Sequence, residues 1–185
     1  MAKLIRLLLV CLFVTALVAW AAVLLGLRSY RVFTAEELVA VVECKSPPKG
    51  SGYDFQLNVI QAFNSREGGS EIFLMRGDQW MISGDFLKWH PWLNLVGFKN
   101  CHKLSRLSGR YIKTESEIHK PRSVYDLQGG TSRLWRFLYD AQQFVPFIEA
   151  VYGNGAYTMA YQGGTWGVYA TLSGYMVRRI KTIQR

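Results

Sequence analysis

The residues best suited to chemistry are concentrated between Gly77 and Trp92, a stretch that holds three of the chain's six tryptophans and one of its three histidines. Trp89 and Trp92 flank His90-Pro91 there, and aromatic rings with a polar edge suit a lipid headgroup interface or a binding pocket. The alternative is ordinary packing, with Trp80 and Phe86 inside a small sheet and the other two rings covering its end.

The sequence gives little support for a metal-binding site or a catalytic site. Cys101 and His102 are adjacent, and neighbouring residues on a strand point to opposite faces, so they cannot easily share one ion. The sequence contains no C-x-x-C or H-x-x-x-H spacing for a metal and no G-x-S-x-G nucleophile motif. We therefore predict no catalytic, metal or cofactor-binding residues and no cofactor, and we rank an enzyme third among the functional classes.

The cysteines do not determine whether the domain lies in an oxidising or a reducing compartment. Cys11 lies in an apolar run, so Cys44 and Cys101, 57 residues apart, are the pair available for a disulfide in an oxidising compartment. Closing that loop would stabilise the fold by about 4 kcal/mol in the chain-entropy model. Two reduced thiols are the alternative.

Positive charge suggests an anionic partner. The formal net charge is +9, and basic side chains beside a membrane attract anionic headgroups by about 1 kcal/mol each. No nucleic-acid recognition motif accompanies the charge, so we expect no nucleic acid. A solvated basic face is the alternative for the candidate lipid contacts, which are Lys99, Lys103, Arg106, Arg110 and Lys113.

The element that positions everything else is an N-terminal apolar run. Leu7 to Leu27 carries no charge over 21 residues, and a helix of that length reaches about 31 Å against a hydrocarbon core of roughly 30 Å. A cleaved signal peptide is the alternative, but the run exceeds a usual signal core of about 7–15 residues. We predict an uncleaved transmembrane anchor at 7–27 after a short flank, 1–6.

Small residues line one face of that predicted helix within an arc of about 80° at 100° per residue. Small faces allow close helix packing in lipid, so the span could contact a membrane-protein partner or a second copy. Chance alignment of common small residues is the alternative. The residues are Cys11, Thr15, Ala19, Ala22 and Gly26.

The remainder predicts an α+β fold. After a linker at 28–37, residues 38–185 show alternation typical of a mainly antiparallel β domain of about six to eight strands. A helical period near 132–148 predicts one helix, which Pro146 should end or kink near Phe144. Two runs around Gly163-Gly164 predict a hairpin with a two-residue turn.

Three blocks of the domain carry a resemblance to a known group of proteins. GDQW at 77–80, LKWHPWLNLVG at 87–97 and LSRLSGRY at 104–111 resemble small bacterial membrane-anchored proteins commonly labelled "cation/multidrug efflux pump" or "multidrug transporter". The group has no agreed activity or binding residues to carry over. The resemblance implies a bacterial envelope protein, and a single uncharged span limits any transport role to an accessory subunit.

These observations predict a single-pass protein of the bacterial inner membrane. The charges flanking the span balance, and the short N-terminus favours a domain outside the cytoplasm, in the periplasm. The leading hypothesis is a non-catalytic interaction module that binds a partner protein or anionic lipid beside the membrane. An accessory subunit of an efflux system is the alternative.

Overall fold

A computed structural model describes the chain over residues 1–62, 70–127 and 133–180. Helix α1, Ala2–Phe33, runs unbroken for 32 residues, or about 48 Å, and is long and apolar enough to cross a membrane. The predicted linker at 28–37 is therefore too long. Thr34 ends the helix, because its backbone N–H and its hydroxyl donate to the Tyr30 carbonyl oxygen at 3.0 and 2.8 Å.

The domain has the predicted α+β fold, with nine strands among the described residues in place of six to eight. Every strand pair is antiparallel. The strands are β1 Glu37–Lys45, β2 Phe55–Gln61, β3 Ser70–Met75, β4 Gln79–Trp89, β5 Cys101–Arg110, β6 Val124–Asp126, β7 Ile148–Met159, β8 Thr165–Thr171 and β9 Gly174–Ile180. The short helices are α2 Pro91–Val96, α3 Thr114–His119 and α4 Arg133–Ala141.

Two sheets face each other across one hydrophobic core. The five-stranded sheet has the order β3-β2-β1-β8-β9, and the four-stranded sheet has the order β6-β5-β4-β7. Trp80 from the smaller sheet meets Trp166 from the larger one edge to face, with ring centroids 6.0 Å apart. Trp80 and Phe86 are almost fully buried, as the packing interpretation of these two rings predicts.

The predicted hairpin at Gly163-Gly164 is wrong. β7 pairs with β4, whereas β8 pairs with β1 and β9, so the glycine turn carries the chain from one sheet to the other. The end of β1 holds this turn, since Gly163 N–H donates to the Cys44 carbonyl oxygen at 2.8 Å and Cys44 N–H donates to that of Gly164 at 2.9 Å. A positive φ of 75° explains why glycine occupies position 163.

The helix predicted near 132–148 is shorter than expected, and residue 132 lies outside the described residues. α4 ends at Ala141, a turn follows through Phe144, and Ile148 already belongs to β7. Trp135 packs with Leu87 and Val151 on the outer face of the smaller sheet.

Candidate functional site

A cavity of about 800 Å³ lies where α1 meets the end of the sandwich. Its walls come from the last turns of α1, the short linker, the α2–β5 loop, the start of β5 and the end of β8. We call it the junction cavity. This end of the sandwich is therefore the end nearest to α1.

One residue of α1 lies beside the cavity wall. Arg28 is the first charged residue after the apolar run. Its Nη2 lies 3.6 Å from the position that a Cβ on Gly97 would occupy. The end of the apolar run is therefore close to the α2–β5 loop and to the cavity wall that this loop forms.

The charged rim of the cavity is net positive. Glu36 is paired with Arg178 outside the lining, at 3.1 Å, which leaves one carboxylate facing three cations. An anionic group is therefore favoured at this rim. The charged lining residues are Arg28, Arg31, Lys99, Glu36 and Glu37.

Two asparagines give the wall unused hydrogen-bonding capacity. Asn94 is only 3 % exposed, and its Oδ1 accepts no hydrogen bond within the described part of the chain. Asn100 Oδ1 accepts from Trp89 N–H at 3.2 Å, but its buried Nδ2 has no acceptor among those same residues. Buried polar atoms are usually paired, so Asn94 Oδ1 and Asn100 Nδ2 are exceptions within the cavity wall.

The inner wall is aromatic. Phe86 lies beneath the cavity with its ring centroid 5.7 Å from that of His102 and 4.5 Å from that of Tyr175. Burial lowers the pKa of His102, while the nearby Glu37 carboxylate opposes the shift. A lowered pKa favours the neutral form of the His102 imidazole. This part of the cavity therefore suits the hydrocarbon part of an amphiphile better than it suits a charged group.

The five predicted basic contacts are spread along β5 and the residues on either side of it. Of the five, only Lys99 lines the cavity. β5 has ten residues and spans about 30 Å, so Arg110 lies near the far end, with its guanidinium 4.4 Å from the Tyr157 ring centroid. Lys113 lines a separate cavity of about 620 Å³ there, while Lys103 and Arg106 lie between the two ends.

The two candidate interface tryptophans differ in exposure. Trp89 is half-buried, since its Nε1 donates to the Lys99 carbonyl oxygen at 3.0 Å and its ring packs against Phe98. Trp92 on α2 is 48 % exposed and contacts Phe147 edge to face. Trp89 therefore supports the loop, and Trp92 is the ring available to an interface.

The Cys44–Cys101 bridge is not formed. All three thiols are free, with Cys44 buried and Cys101 exposed. Glu37, at the start of β1, shares the junction cavity with His102, the second residue of β5. Cys44 lies seven residues further along β1, or about 23 Å, whereas a disulfide requires Cα atoms within about 7 Å.

The small residues of the span keep the positions that helical geometry gives them. Each is exposed on α1, and Gly26 has no atom within 4 Å of the position of an added Cβ. The packing role predicted for Cys11, Thr15, Ala19, Ala22 and Gly26 stays a prediction.

Asp85 is a buried carboxylate that is not among the residues singled out from the sequence. Asp85 is 8 % exposed beneath α4, its Oδ1 accepts from the Tyr139 hydroxyl at 3.3 Å, and burial raises the pKa of Tyr139. The sequence feature that could have indicated its burial is the neighbouring Gly84, which lies at the bulge in β4. Within residues 1–62, 70–127 and 133–180, no three His, Cys, Asp or Glu side chains converge as a metal site would require.

No protein-family model matches the chain, and neither the curated proteins nor the solved structures provide a significant match. Its functional interpretation therefore depends on its own residues.

Proposed function

We propose that the chain is a single-pass membrane protein whose domain binds the headgroup of an anionic phospholipid in the junction cavity. The observation that carries the proposal is the position of this basic, partly apolar cavity at the end of α1, level with the first charge after the span.

The chemistry of the walls matches that ligand. Arginine donates to phosphate in a fixed fork, and lysine adds a compact charge, which gives roles to Arg28, Arg31 and Lys99. The unused amide groups of Asn94 and Asn100 suit the hydroxyl and ester oxygens of a glycerol headgroup. The half-buried His102 ring, which packs on Phe86, offers a surface for the first methylenes of an acyl chain.

Lipid retention tests the proposal. The full chain is extracted in mild detergent, supplied with phosphatidylglycerol or phosphatidylcholine, and weighed with its bound lipid by native mass spectrometry. Replacing Arg28, Arg31 and Lys99 together with glutamine removes about 3 kcal/mol of attraction, or on the order of 100-fold in affinity for phosphatidylglycerol.

A charge-matched control uses cations away from the junction, with Arg106, Lys113 and Lys120 replaced by glutamine. This variant should keep the bound phosphatidylglycerol, and free glycerol phosphate should not displace it, because the apolar floor needs an acyl chain. Equal loss in both triple variants, or equal retention of the two lipids, would contradict the proposal.

The resemblance and the short N-terminus also lead us to place the protein in a bacterial inner membrane with its domain in the periplasm. Two topology reporters fused after Arg185 test this placement, one active only outside the cytoplasm and one only inside it. Activity of the cytoplasmic reporter alone would reverse the orientation.

An accessory role in an efflux complex is the second candidate, favoured by the exposure of α1 on all sides. Changing Ala22 and Gly26 to leucine would block close helix approach and abolish co-purification of a membrane-protein partner. Val10→Leu, about 140° from the centre of the small face, is the control. A partner retained by the double variant would exclude the span as its contact.

A further inference from the structure

The exposed Phe and Trp rings in the described part of the domain lie in two neighbouring segments. Among the described residues after α1, every exposed Phe or Trp lies within 91–98 or 133–147. The segments touch, since His90 N–H donates to the Phe147 carbonyl oxygen at 3.0 Å and Trp92 packs against the Phe147 ring. We call the group nearest α1 the aromatic surface, and it consists of Trp92, Val96, Phe98, Phe144 and Phe147.

These side chains are too exposed for a core role. Phe144 is 78 % exposed, Val96 62 % and Phe98 56 %. A large apolar side chain left in water loses the free energy that burial would provide. Several such side chains exposed on neighbouring segments mark an interaction surface.

The occupant is identified by the position of the surface. Val96 and Phe98 flank Gly97, the residue that Arg28 approaches at the end of the apolar run. Rings at this level meet the boundary between headgroups and acyl chains, where tryptophan and other amphipathic rings are enriched in membrane proteins. The nearest apolar medium is therefore the leaflet from which α1 emerges.

We infer that the aromatic surface inserts into that leaflet and holds the domain against the membrane, so that the domain is docked as well as tethered. The inference rests on the proposed membrane anchoring by α1 and is independent of the ligand in the junction cavity. Lys99, next to Phe98, adds attraction to anionic headgroups.

Paramagnetic broadening of tryptophan signals tests the inference in the full chain. The protein is labelled with 5-fluorotryptophan, reconstituted in phospholipid nanodiscs, and each ¹⁹F resonance is assigned by a Trp→Phe variant. Nitroxides at carbon 5 or carbon 16 of the acyl chains then report depth. Trp20, near the middle of the apolar run, and the buried pair Trp80 and Trp166 supply internal references.

The expected result is loss of the Trp92 resonance with the carbon-5 nitroxide, loss of the Trp20 resonance with the carbon-16 nitroxide, and retention of the Trp80 and Trp166 resonances. Trp92 should also resist a water-soluble gadolinium chelate. In Phe98→Ser/Phe144→Ser, the Trp92 resonance should persist with the nitroxide, whereas Ile118→Ser, an exposed site on α3, should leave its loss unchanged.

Other outcomes separate the two ideas. A Trp20 resonance that survives both nitroxides would overturn the anchoring itself. With Trp20 broadened, a Trp92 resonance lost only to gadolinium would show a surface open to water or a soluble partner. A Trp92 resonance that resists both the nitroxides and gadolinium would show that another protein surface, such as a second copy of the chain, buries this ring. Either result would overturn the docking inference.

Discussion

The three thiols of the chain occupy three environments, and their reactivity should differ accordingly. Burial raises the pKa of Cys44 to about 11, while Cys101 is exposed at the start of β5. Since the thiolate is the reactive form, maleimide at about pH 8 should label Cys101 rapidly and Cys44 only after unfolding. Mass spectrometry of the Cys11→Ser variant and of the Cys11→Ser/Cys101→Ser variant measures the labelling rates of Cys101 and Cys44. Rapid labelling of Cys44 in the folded protein would contradict the packing of β1.

His102 should make the stability of the fold depend on pH. Burial lowers its pKa in the folded state from about 6.5, so below that pH the unfolded chain takes up a proton that the folded chain refuses. The free energy of unfolding should therefore fall as the pH drops from about 6.5 towards the folded pKa. Chemical denaturation at several pH values measures this fall, which should shrink in His102→Gln.

The exposed His119 on α3 provides the matched control for that measurement. His119→Gln should keep the wild-type pH dependence between about pH 7 and 5. If His102→Gln kept the wild-type pH dependence of the free energy of unfolding, a group other than His102 would be responsible for it.

At the scale of elements, the bulge in β4 sets a strict limit on side-chain size. The β4–β5 register shifts between Ser83 and Gly84, and glycine within a strand often marks such a bulge. A Cβ on Gly84 would overlap the Lys103 carbonyl oxygen and lie 2.8 Å from the Tyr175 hydroxyl. Gly84→Ala should therefore cost about 1–3 kcal/mol in the free energy of unfolding.

Gly153 on the neighbouring strand is the control for that substitution. A Cβ there meets nothing closer than the Tyr139 hydroxyl at 3.8 Å, so Gly153→Ala should change stability by no more than about 0.5 kcal/mol. Both values come from denaturant unfolding of the full chain in detergent. Equal effects of the two substitutions would mean that β4 can shift to accept a side chain.

The elements also show what local sequence can predict and what it cannot. Alternation predicted a mainly antiparallel β domain, and apolar length predicted the N-terminal helix, because each signal is contained within one segment. The glycine turn at 163–164 looked like a hairpin, yet its strands belong to different sheets. Which strands pair is decided by burial across the whole core, which no local pattern contains.

The candidate site was predictable only in part for the same reason. Lys99 and Trp92 were recognised from charge and aromatic character. Arg28, Asn94 and His102 belong together only because α1 continues past the apolar run and packs its end near α2. The unpaired amide atoms of Asn94 and Asn100 become informative only once their burial is known.

At the scale of the whole molecule, span and domain are coupled by a very short connection. α1 continues six residues beyond Leu27, and only three residues separate it from β1. The Glu36–Arg178 ion pair then joins this connection to β9. Such a connection leaves little freedom for the domain to move away from the end of α1, so the junction cavity stays beside that end of the helix.

Lengthening that connection should weaken membrane binding by the domain without changing the stability of its fold. About eight Gly/Ser residues inserted between Ala35 and Glu36 add on the order of 15 Å of slack, yet keep the Thr34 helix end and the Glu36–Arg178 pair. We expect weaker retention of phosphatidylglycerol, because Arg28 and Arg31 would no longer face Lys99, and weaker broadening of Trp92 by the carbon-5 nitroxide. The free energy of unfolding should stay unchanged.

The same insertion at Lys49-Gly50, in the loop that follows β1 at the opposite end of that strand, provides the control for chain lengthening. It should leave lipid retention and Trp92 broadening at wild-type levels, because that loop contributes nothing to the junction cavity. If the insertion at Ala35–Glu36 also left both readouts unchanged, the domain would hold the bilayer without help from α1. The short connection would then have no part in binding.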